Sequence, residues 1–136
     1  MRVLVDTGPL VAILSPADHF HEVCVRTLAG LKGPLLTCWP VITEAAWLLR
    51  DYPHAFENLL GNTNGSFLEV LPITGKDSGQ IVDILKSYAS LRPQFADATI
   101  VHLANREDIR TIFTLDRRDF SVYRSARKRA FRILPE

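Results

Sequence analysis

The chain has 136 residues, enough for one domain with its own core, and its contents of 47% hydrophobic and 23% charged residues are ordinary for a globular protein. It has no signal-peptide pattern and no apolar run long enough to span a membrane, so we expect no association with membranes. Its two cysteines, Cys24 and Cys38, have neither zinc-site nor disulfide-framework spacing. We therefore expect a single domain over residues 1–136 and a cytoplasmic location.

The net charge of +1 hides an uneven distribution. Residues 116–136 contain seven Lys and Arg against three Asp and Glu, whereas residues 1–115 contain nine against twelve. A basic end on a slightly acidic body suits a polyanionic partner. The simpler alternative is an arginine-rich, solvated edge with no function.

Short apolar segments alternate with helical patterns along the chain. The predicted strands cover residues 3–5, 35–38, 67–71, 111–115 and 131–134. The predicted helices cover residues 10–14, 15–31, 41–50, 53–60, a segment from Thr74 to near Pro93, and 96–107. Strands that alternate with helices indicate βαβ units, a parallel sheet and helices on both of its faces. The predicted fold class is therefore α/β, with three layers and about five parallel strands.

Two acidic residues directly follow buried strands. Asp6 follows the first strand, and Asp116 follows the strand that begins at Thr111. An aspartate that merely turns the chain at a strand end is the alternative for both. In an open parallel sheet, however, the carboxyl ends of the strands are where ligands bind.

Two further acids lie on helical faces that are otherwise apolar. Glu44 projects among Val41, Trp47 and Leu48, and a buried ion pair is the alternative explanation. Asp97 projects toward Ile100, Val101 and Ala104, and the alternative is that it caps its helix.

These positions meet at one edge of a parallel sheet, so several carboxylates are expected to converge there. They would repel one another and raise each other's pKa unless a cation neutralised them. Oxygen ligands without histidine or cysteine favour Mg²⁺ or Mn²⁺. Such a site beside a basic segment indicates phosphoryl chemistry. The four histidines are scattered, and the chain has no phosphate-binding glycine loop.

The chain contains four short motifs, in this order: residues 6–10 (DTGPL), 43–44 (TE), 95–98 (FADA) and 114–120 (TLDRRDF). Together they resemble the PIN-domain ribonucleases, and within them the VapC toxins of prokaryotic toxin–antitoxin pairs. The resemblance covers essentially the whole chain. It implies a three-layer α/β/α fold and an acidic site that uses Mg²⁺ or Mn²⁺ to cut single-stranded or loop RNA. It also implies a homodimer and inhibition by a protein antitoxin.

By this resemblance Asp6, Glu44, Asp97 and Asp116 are the catalytic and metal-binding acids, with Asp6 and Asp97 as direct ligands. Thr7 and Thr114 match positions where a hydroxyl supports the site, and Asp119 is an additional acid nearby. The basic residues expected to hold the RNA backbone are Arg117, Arg118, Arg124, Arg127, Lys128, Arg129 and Arg132.

Two alternatives remain at the level of sequence. The first is a Mg²⁺-dependent phosphatase or phosphotransferase. An enzyme of this class would be expected to have an acid two residues after the strand-end aspartate, where this chain has Gly8. The second is a non-catalytic signalling or RNA-binding module. A receiver-like module would need a lysine after a late strand, and an inactive PIN-like domain would be expected to lack site acids; this chain fits neither pattern.

Overall fold

A five-stranded, wholly parallel sheet forms the centre of the protein, in the strand order β3-β2-β1-β4-β5. The computed structural model describes all residues, 1–136. The strands are β1 (Val3–Val5), β2 (Leu35–Thr37), β3 (Leu68–Val70), β4 (Thr111–Phe113) and β5 (Arg132–Leu134). The predicted α/β fold with five parallel strands is therefore confirmed, and each strand lies within or at the ends of its predicted range.

Seven α-helices surround the sheet. They are α1 (Thr7–Leu14), α2 (His21–Ala29), α3 (Trp39–Leu48), α4 (Pro53–Gly61), α5 (Ser78–Ser87), α6 (Phe95–Glu107) and α7 (Arg117–Phe120). Single 3₁₀ turns, Gly75–Asp77 and Ala89–Leu91, precede and follow α5. None of these helices is both long and apolar enough to cross a membrane.

The central strand shows why the fold has three layers. Val3, Leu4 and Val5 are each at most 3% exposed. Because successive side chains of a strand point to opposite faces, helices must cover both faces of the sheet. On these faces α1 packs against α2 and α3, while α5 packs along α6.

The pairing of β1 with β4 sets the position of the strand-end acids. Val5 lies opposite Phe113, so the two strands end at the same level. The backbone N–H of Asp6 then donates to the carbonyl of Phe113 at 2.8 Å, which extends the pairing by one residue. The residues that follow the two strands must therefore emerge side by side at the carboxyl edge of the sheet.

The predicted helix over residues 15–31 is wrong in its first third. The chain forms turns before α2, which begins only at His21. The cause is Asp18, whose carboxylate accepts a hydrogen bond from the backbone N–H of Phe20 at 2.8 Å. An aspartate that bonds the backbone two residues on favours a turn over a helix.

Helix α7, a single turn directly after Asp116, was not predicted from the sequence. The Asp116 carboxylate accepts from the backbone N–H of Asp119 at 3.1 Å and thereby caps this helix. The turn at the end of β4, which was the alternative considered for Asp116, is thus also a helix start.

We expect Leu4→Ala to lower the free energy of unfolding by about 3 kcal/mol, because it removes a fully buried side chain from the central strand and leaves a cavity. Urea denaturation followed by circular dichroism measures the change. Leu60→Ala is the matched control, since Leu60 is 44% exposed and should cost much less. Equal losses in the two variants would contradict this account of the core.

Candidate active site

Asp6 is held at the end of β1 by hydrogen bonds to both of its carboxylate oxygens. Oδ1 accepts from the backbone N–H of Thr7 at 2.8 Å and so caps α1, and Oδ2 accepts from the Thr114 hydroxyl at 2.8 Å. The residue is only 8% exposed. The turn role considered for Asp6 is therefore real, and it fixes the carboxylate at a single place on the sheet edge.

Thr114 connects the two strand-end acids. Its hydroxyl donates to Asp6 and accepts from the backbone N–H of Asp116 at 3.0 Å. It is completely buried. One hydroxyl therefore uses its donor on one acid and an acceptor lone pair on the backbone of the other. The supporting role predicted for Thr114 would act through these two hydrogen bonds.

Asp97 approaches the same edge from the start of α6. It is the third residue of that helix, and its Oδ2 accepts from the backbone N–H of Gln94 at 3.2 Å in a capping box. The alternative that Asp97 is the N-cap residue is wrong, because Gln94 occupies that position. The capping contact occupies one carboxylate oxygen and leaves the other free.

Glu44 reaches the edge from α3, but its surroundings differ from the expected apolar core. Trp47 and Leu48, two of its three predicted apolar neighbours, are 64% and 49% exposed. Glu44 itself is half-buried and has no ion-pair partner, so the buried ion pair is also excluded. The apolar face of α3 is in part a surface rather than a core face.

All of these acids line one cavity of about 450 Å³ at the carboxyl edge. Its carboxylates belong to Asp6, Glu44, Asp97, Asp116 and Asp119, and its other lining residues are Thr7, Gly8, Leu48, Arg92, Gln94 and Leu115. Sequence reasoning missed Arg92 and Gln94. The only signal for them is their position just before the helix that carries Asp97.

Burial and mutual repulsion shift the protonation of the site. Burial raises the pKa of Asp6 to about 6, with the charges of Glu44 and Asp116 adding to the effect against its two hydrogen bonds. Burial, and then the charge of Asp6, likewise raise the pKa of Asp97 to about 6. The pKa of Glu44 is raised by burial and by Asp97. The charges of these three carboxylates thus disfavour one another, and a bound cation would offset that repulsion.

The donor set of the cavity fits a hard divalent cation. Carboxylates and hydroxyls are the oxygen ligands that Mg²⁺ and Mn²⁺ prefer. The Thr7 hydroxyl is buried and has no hydrogen-bond partner, an arrangement that is costly unless something binds there. No three acidic, histidine or cysteine side chains converge closely enough to define an ion position by themselves. Mg²⁺ usually keeps several water ligands and is held through one or two carboxylates, so such a closed cluster is not required.

A second buried hydroxyl lies near the acids. Tyr123 is fully buried, packs edge-on against Phe120 and Tyr88, and has no partner for its hydroxyl. Burial is the main cause that raises the pKa of the Tyr123 phenol. The negative charges of four acids raise it further, namely Asp97, Asp119, Asp116 and Asp6. The tyrosine is thus a neutral wall beside the acidic cavity.

The predicted RNA-binding residues do not form one surface. Arg118 is exposed on α7, directly after Asp116. Arg117 and Arg124 donate to backbone carbonyls of Pro135 and of residues 121–123, respectively. Arg132 pairs with the Glu136 carboxylate. Three of the predicted residues are therefore already engaged within the chain.

Arg127 and Arg129 lie at the other end of the sheet from the acids. They line a cavity of about 210 Å³ together with Arg110, which directly precedes β4. Lys128 lies between them in a left-handed backbone conformation, and Arg132 opens β5. Since the strands are parallel, the residues that begin them mark the amino edge. This basic cluster is separated from the acidic cavity by the length of the strands.

An exposed aromatic groove adjoins the acidic cavity. It has a volume of about 600 Å³ and shares Glu44 and Gln94 with that cavity. Its aromatic side chains Trp39, Trp47 and Phe95 are 49%, 64% and 55% exposed. A continuous apolar surface of this kind usually marks an interaction site.

An acidic cavity at the carboxyl edge of a five-stranded parallel sheet is consistent with the comparisons with known proteins. The model of the PIN domain matches residues 3–125, and the chain belongs to this family. Over 135 residues it is 29% identical to "Ribonuclease VapC26" of Mycobacterium tuberculosis, which covers 98% of this chain and 100% of that protein. The family predicted from the four motifs is confirmed.

The fold is also found in a solved structure. The crystal structure of Mycobacterium tuberculosis VapC20, titled a "Sarcin-Ricin loop cleaving toxin", superposes with a TM-score of 0.78 at 19% sequence identity. The match covers 85% of this chain and 91% of that one. At this identity the likeness establishes the shared fold.

We expect Asp6→Asn to stabilise the metal-free protein at pH 7.5 by roughly 1 kcal/mol, a few degrees in melting temperature. The folded pKa of Asp6 is raised from 3.8 to about 6, so the folded state binds the additional proton. The associated stability is complete below pH 4 and is lost as the pH rises through about 6. Asparagine keeps the cap without the charge.

Melting temperatures measured in EDTA from pH 4 to pH 8 test this prediction. The wild type should lose stability relative to Asp6→Asn across this range. Asp83→Asn, an exposed acid on α5, should follow the wild type. A wild-type protein that gains stability relative to Asp6→Asn as the pH rises would contradict it.

Proposed function

We propose that this protein is a Mg²⁺- or Mn²⁺-dependent endoribonuclease that cleaves single-stranded or loop RNA, and that it acts as the toxin of a toxin–antitoxin pair. The observation that carries the proposal is the single cavity lined by five carboxylates in a PIN-family chain. The similarity to a protein named as a ribonuclease over nearly its whole length supports the same activity.

In this proposal Asp6 and Asp97 are the direct metal ligands, and Glu44 and Asp116 complete the site. When bound, the cation supplies charge that polarises the phosphodiester and lowers the pKa of water. Thr114 orients Asp6 through its 2.8 Å hydrogen bond, and Thr7 adds an unused hydroxyl. Glu44, whose pKa is raised and which has no ion-pair partner, is a suitable acceptor for a proton from the attacking water.

The position of the basic residues suggests how RNA would bind. Arg118 is exposed on α7, between Asp116 and Asp119 in sequence, and would contact phosphates close to the cleaved bond. The other basic residues, Arg127, Lys128 and Arg129, would contact only an RNA long enough to reach the amino edge of the sheet. Binding would weaken with salt and depend little on sequence. Single-stranded or loop RNA fits best, because its bases are free to splay out of a helix.

We also propose two protein partners, a cognate antitoxin and a second copy of this chain. The aromatic groove of Trp39, Trp47 and Phe95 supports the homodimer, because three exposed aromatic side chains in one place are costly in an isolated monomer. Its continuity with the acidic cavity would bring the two sites of a dimer close to one another.

We expect Asp97→Asn to reduce RNA cleavage in Mn²⁺ at least 100-fold while the protein stays folded, because removing one ligand charge weakens the metal site. Cleavage of a fluorescently labelled hairpin-loop RNA measures the activity, and circular dichroism verifies the fold. Wild type in EDTA should be equally inactive. Asp83→Asn, on the exposed side of α5, is the control and should cleave normally.

Two results would count against this function. The first is an Asp97→Asn protein that is folded and as active as the wild type. The second is a wild type that cleaves no RNA in Mg²⁺ or Mn²⁺ but hydrolyses a phosphomonoester such as p-nitrophenyl phosphate. That outcome would support the phosphatase alternative.

We expect Trp47→Glu to convert the proposed homodimer to a monomer, because it replaces an aromatic side chain of the groove with a charge. Trp47 is 64% exposed, so the fold should be unaffected. Sedimentation velocity at micromolar concentration measures the change. Val25→Glu, at a 39% exposed position on α2, is the control. A wild type that sediments as a monomer would refute the proposed dimer.

A further inference from the structure

Arg92 is the one basic side chain among the eleven residues that line the acidic cavity. It lies between the 3₁₀ turn Ala89–Leu91 and Pro93, just before the helix that carries Asp97. It belongs to neither the carboxylates nor the basic C-terminal segment from which RNA binding was predicted. The single arginine among five acids therefore has no role in the site as described so far.

No carboxylate of the cavity neutralises this arginine. Its guanidinium forms no hydrogen bond and has no acidic oxygen within 4.0 Å, although arginines elsewhere in the chain form such pairs with Asp77, Glu107 and Glu136. Three of the acids, Asp6, Asp97 and Asp116, instead accept hydrogen bonds from the Thr114 hydroxyl or from backbone N–H groups. The guanidinium of Arg92 therefore keeps its full set of donors for a ligand.

The backbone at Arg92 is held in a conformation that glycine or asparagine adopts more easily. Its φ of 50° and ψ of 55° lie in the left-handed region, and a proline follows. The N–H of Arg92 donates to the carbonyl of Ala89 at 3.1 Å, which closes the turn. Strained backbone at a non-glycine residue is concentrated at functional sites. Here the residue at this position is an exposed arginine that lines the acidic cavity, although glycine would fit the turn better.

We propose that Arg92 binds the scissile phosphate of the RNA substrate. This inference rests on the proposed ribonuclease function and adds a residue to its site. The planar guanidinium can donate two parallel hydrogen bonds to the non-bridging oxygens of a phosphodiester. It offsets the repulsion between the substrate and the uncompensated carboxylates of the cavity, and it stabilises the charge that develops on these oxygens in the transition state.

The role leaves Arg92 chemically unchanged. A bond forms between the water oxygen and phosphorus while the bond from phosphorus to the leaving oxygen breaks. The water proton passes to a carboxylate of the cavity, and the leaving oxygen takes a proton from solvent. Throughout, the guanidinium keeps its own protons because its pKa is far above neutral pH.

Three substitutions of Arg92 separate charge from backbone conformation. Under single-turnover conditions with saturating RNA and Mn²⁺, we expect Arg92→Gln to lower the cleavage rate constant about 100-fold. Arg92→Lys should recover part of this loss, because it restores the charge without the planar pair of donors. Arg92→Gly should be as inactive as Arg92→Gln, yet melt at the same or a higher temperature because it relaxes the turn.

Two controls make the experiment specific. Arg26→Gln, an exposed arginine on α2, should cleave at the wild-type rate. The rise in melting temperature caused by Mn²⁺ should be the same in wild type and Arg92→Gln, since Arg92 is not a metal ligand. A loss of that rise would instead assign Arg92 to the architecture of the metal site and would overturn the proposal.

The remaining outcomes also decide the question. A wild type that cleaves RNA while Arg92→Gln cleaves equally fast would overturn this inference alone. An Arg92→Gly protein with full activity would do the same, because it would reduce the arginine to a turn residue. A wild type that cleaves no RNA in either metal would overturn the proposed function and this inference with it.

Discussion

The site depends on one constraint of the parallel sheet, namely that strands β1 and β4 are neighbours and end at the same level. Whatever residue follows each strand must then emerge at a shared edge. In this chain both strands are followed within three residues by an aspartate, and the Thr114 hydroxyl ties the two together. Helices α3 and α6 bring Glu44 and Asp97 to the same edge. The convergence of negative charge is thus a consequence of topology as much as of composition.

This arrangement costs stability unless something neutralises it. Asp6 and Asp97 both have their pKa raised to about 6, chiefly by burial and further by the charges of neighbouring acids. A folded protein that keeps such groups together is stabilised by any ligand that binds the folded state and carries positive charge. Folding and cation binding would therefore be coupled at this edge, and the capping hydrogen bonds of Asp6 and Asp97 hold the acids in position meanwhile.

The strands and several acids of the cavity could be predicted from the sequence. The five strands could be located because each is a short apolar run bounded by turn residues. Asp6 and Asp116 were recognisable because a charge directly after such a run is out of place. Glu44 lines the cavity, but the reason for predicting it as a site residue fails in part. Helical periodicity does not distinguish a face buried in the core from an exposed apolar groove. The start of α2 was missed because a side-chain hydrogen bond from Asp18 competes with helix formation.

What the sequence did not reveal depends on where distant segments meet. The basic C-terminal segment looked like one RNA-binding unit, yet it divides between the two edges of the sheet, and Arg124 is occupied by backbone carbonyls. Of the cavity acids, only Asp97 is near Arg92 in sequence, and the fold brings Arg92 into one cavity with the others. The unpaired positive charge of Arg92 among the acids can be recognised only from the three-dimensional structure. In this chain that single arginine, rather than the large basic cluster, shares a cavity with the proposed catalytic acids.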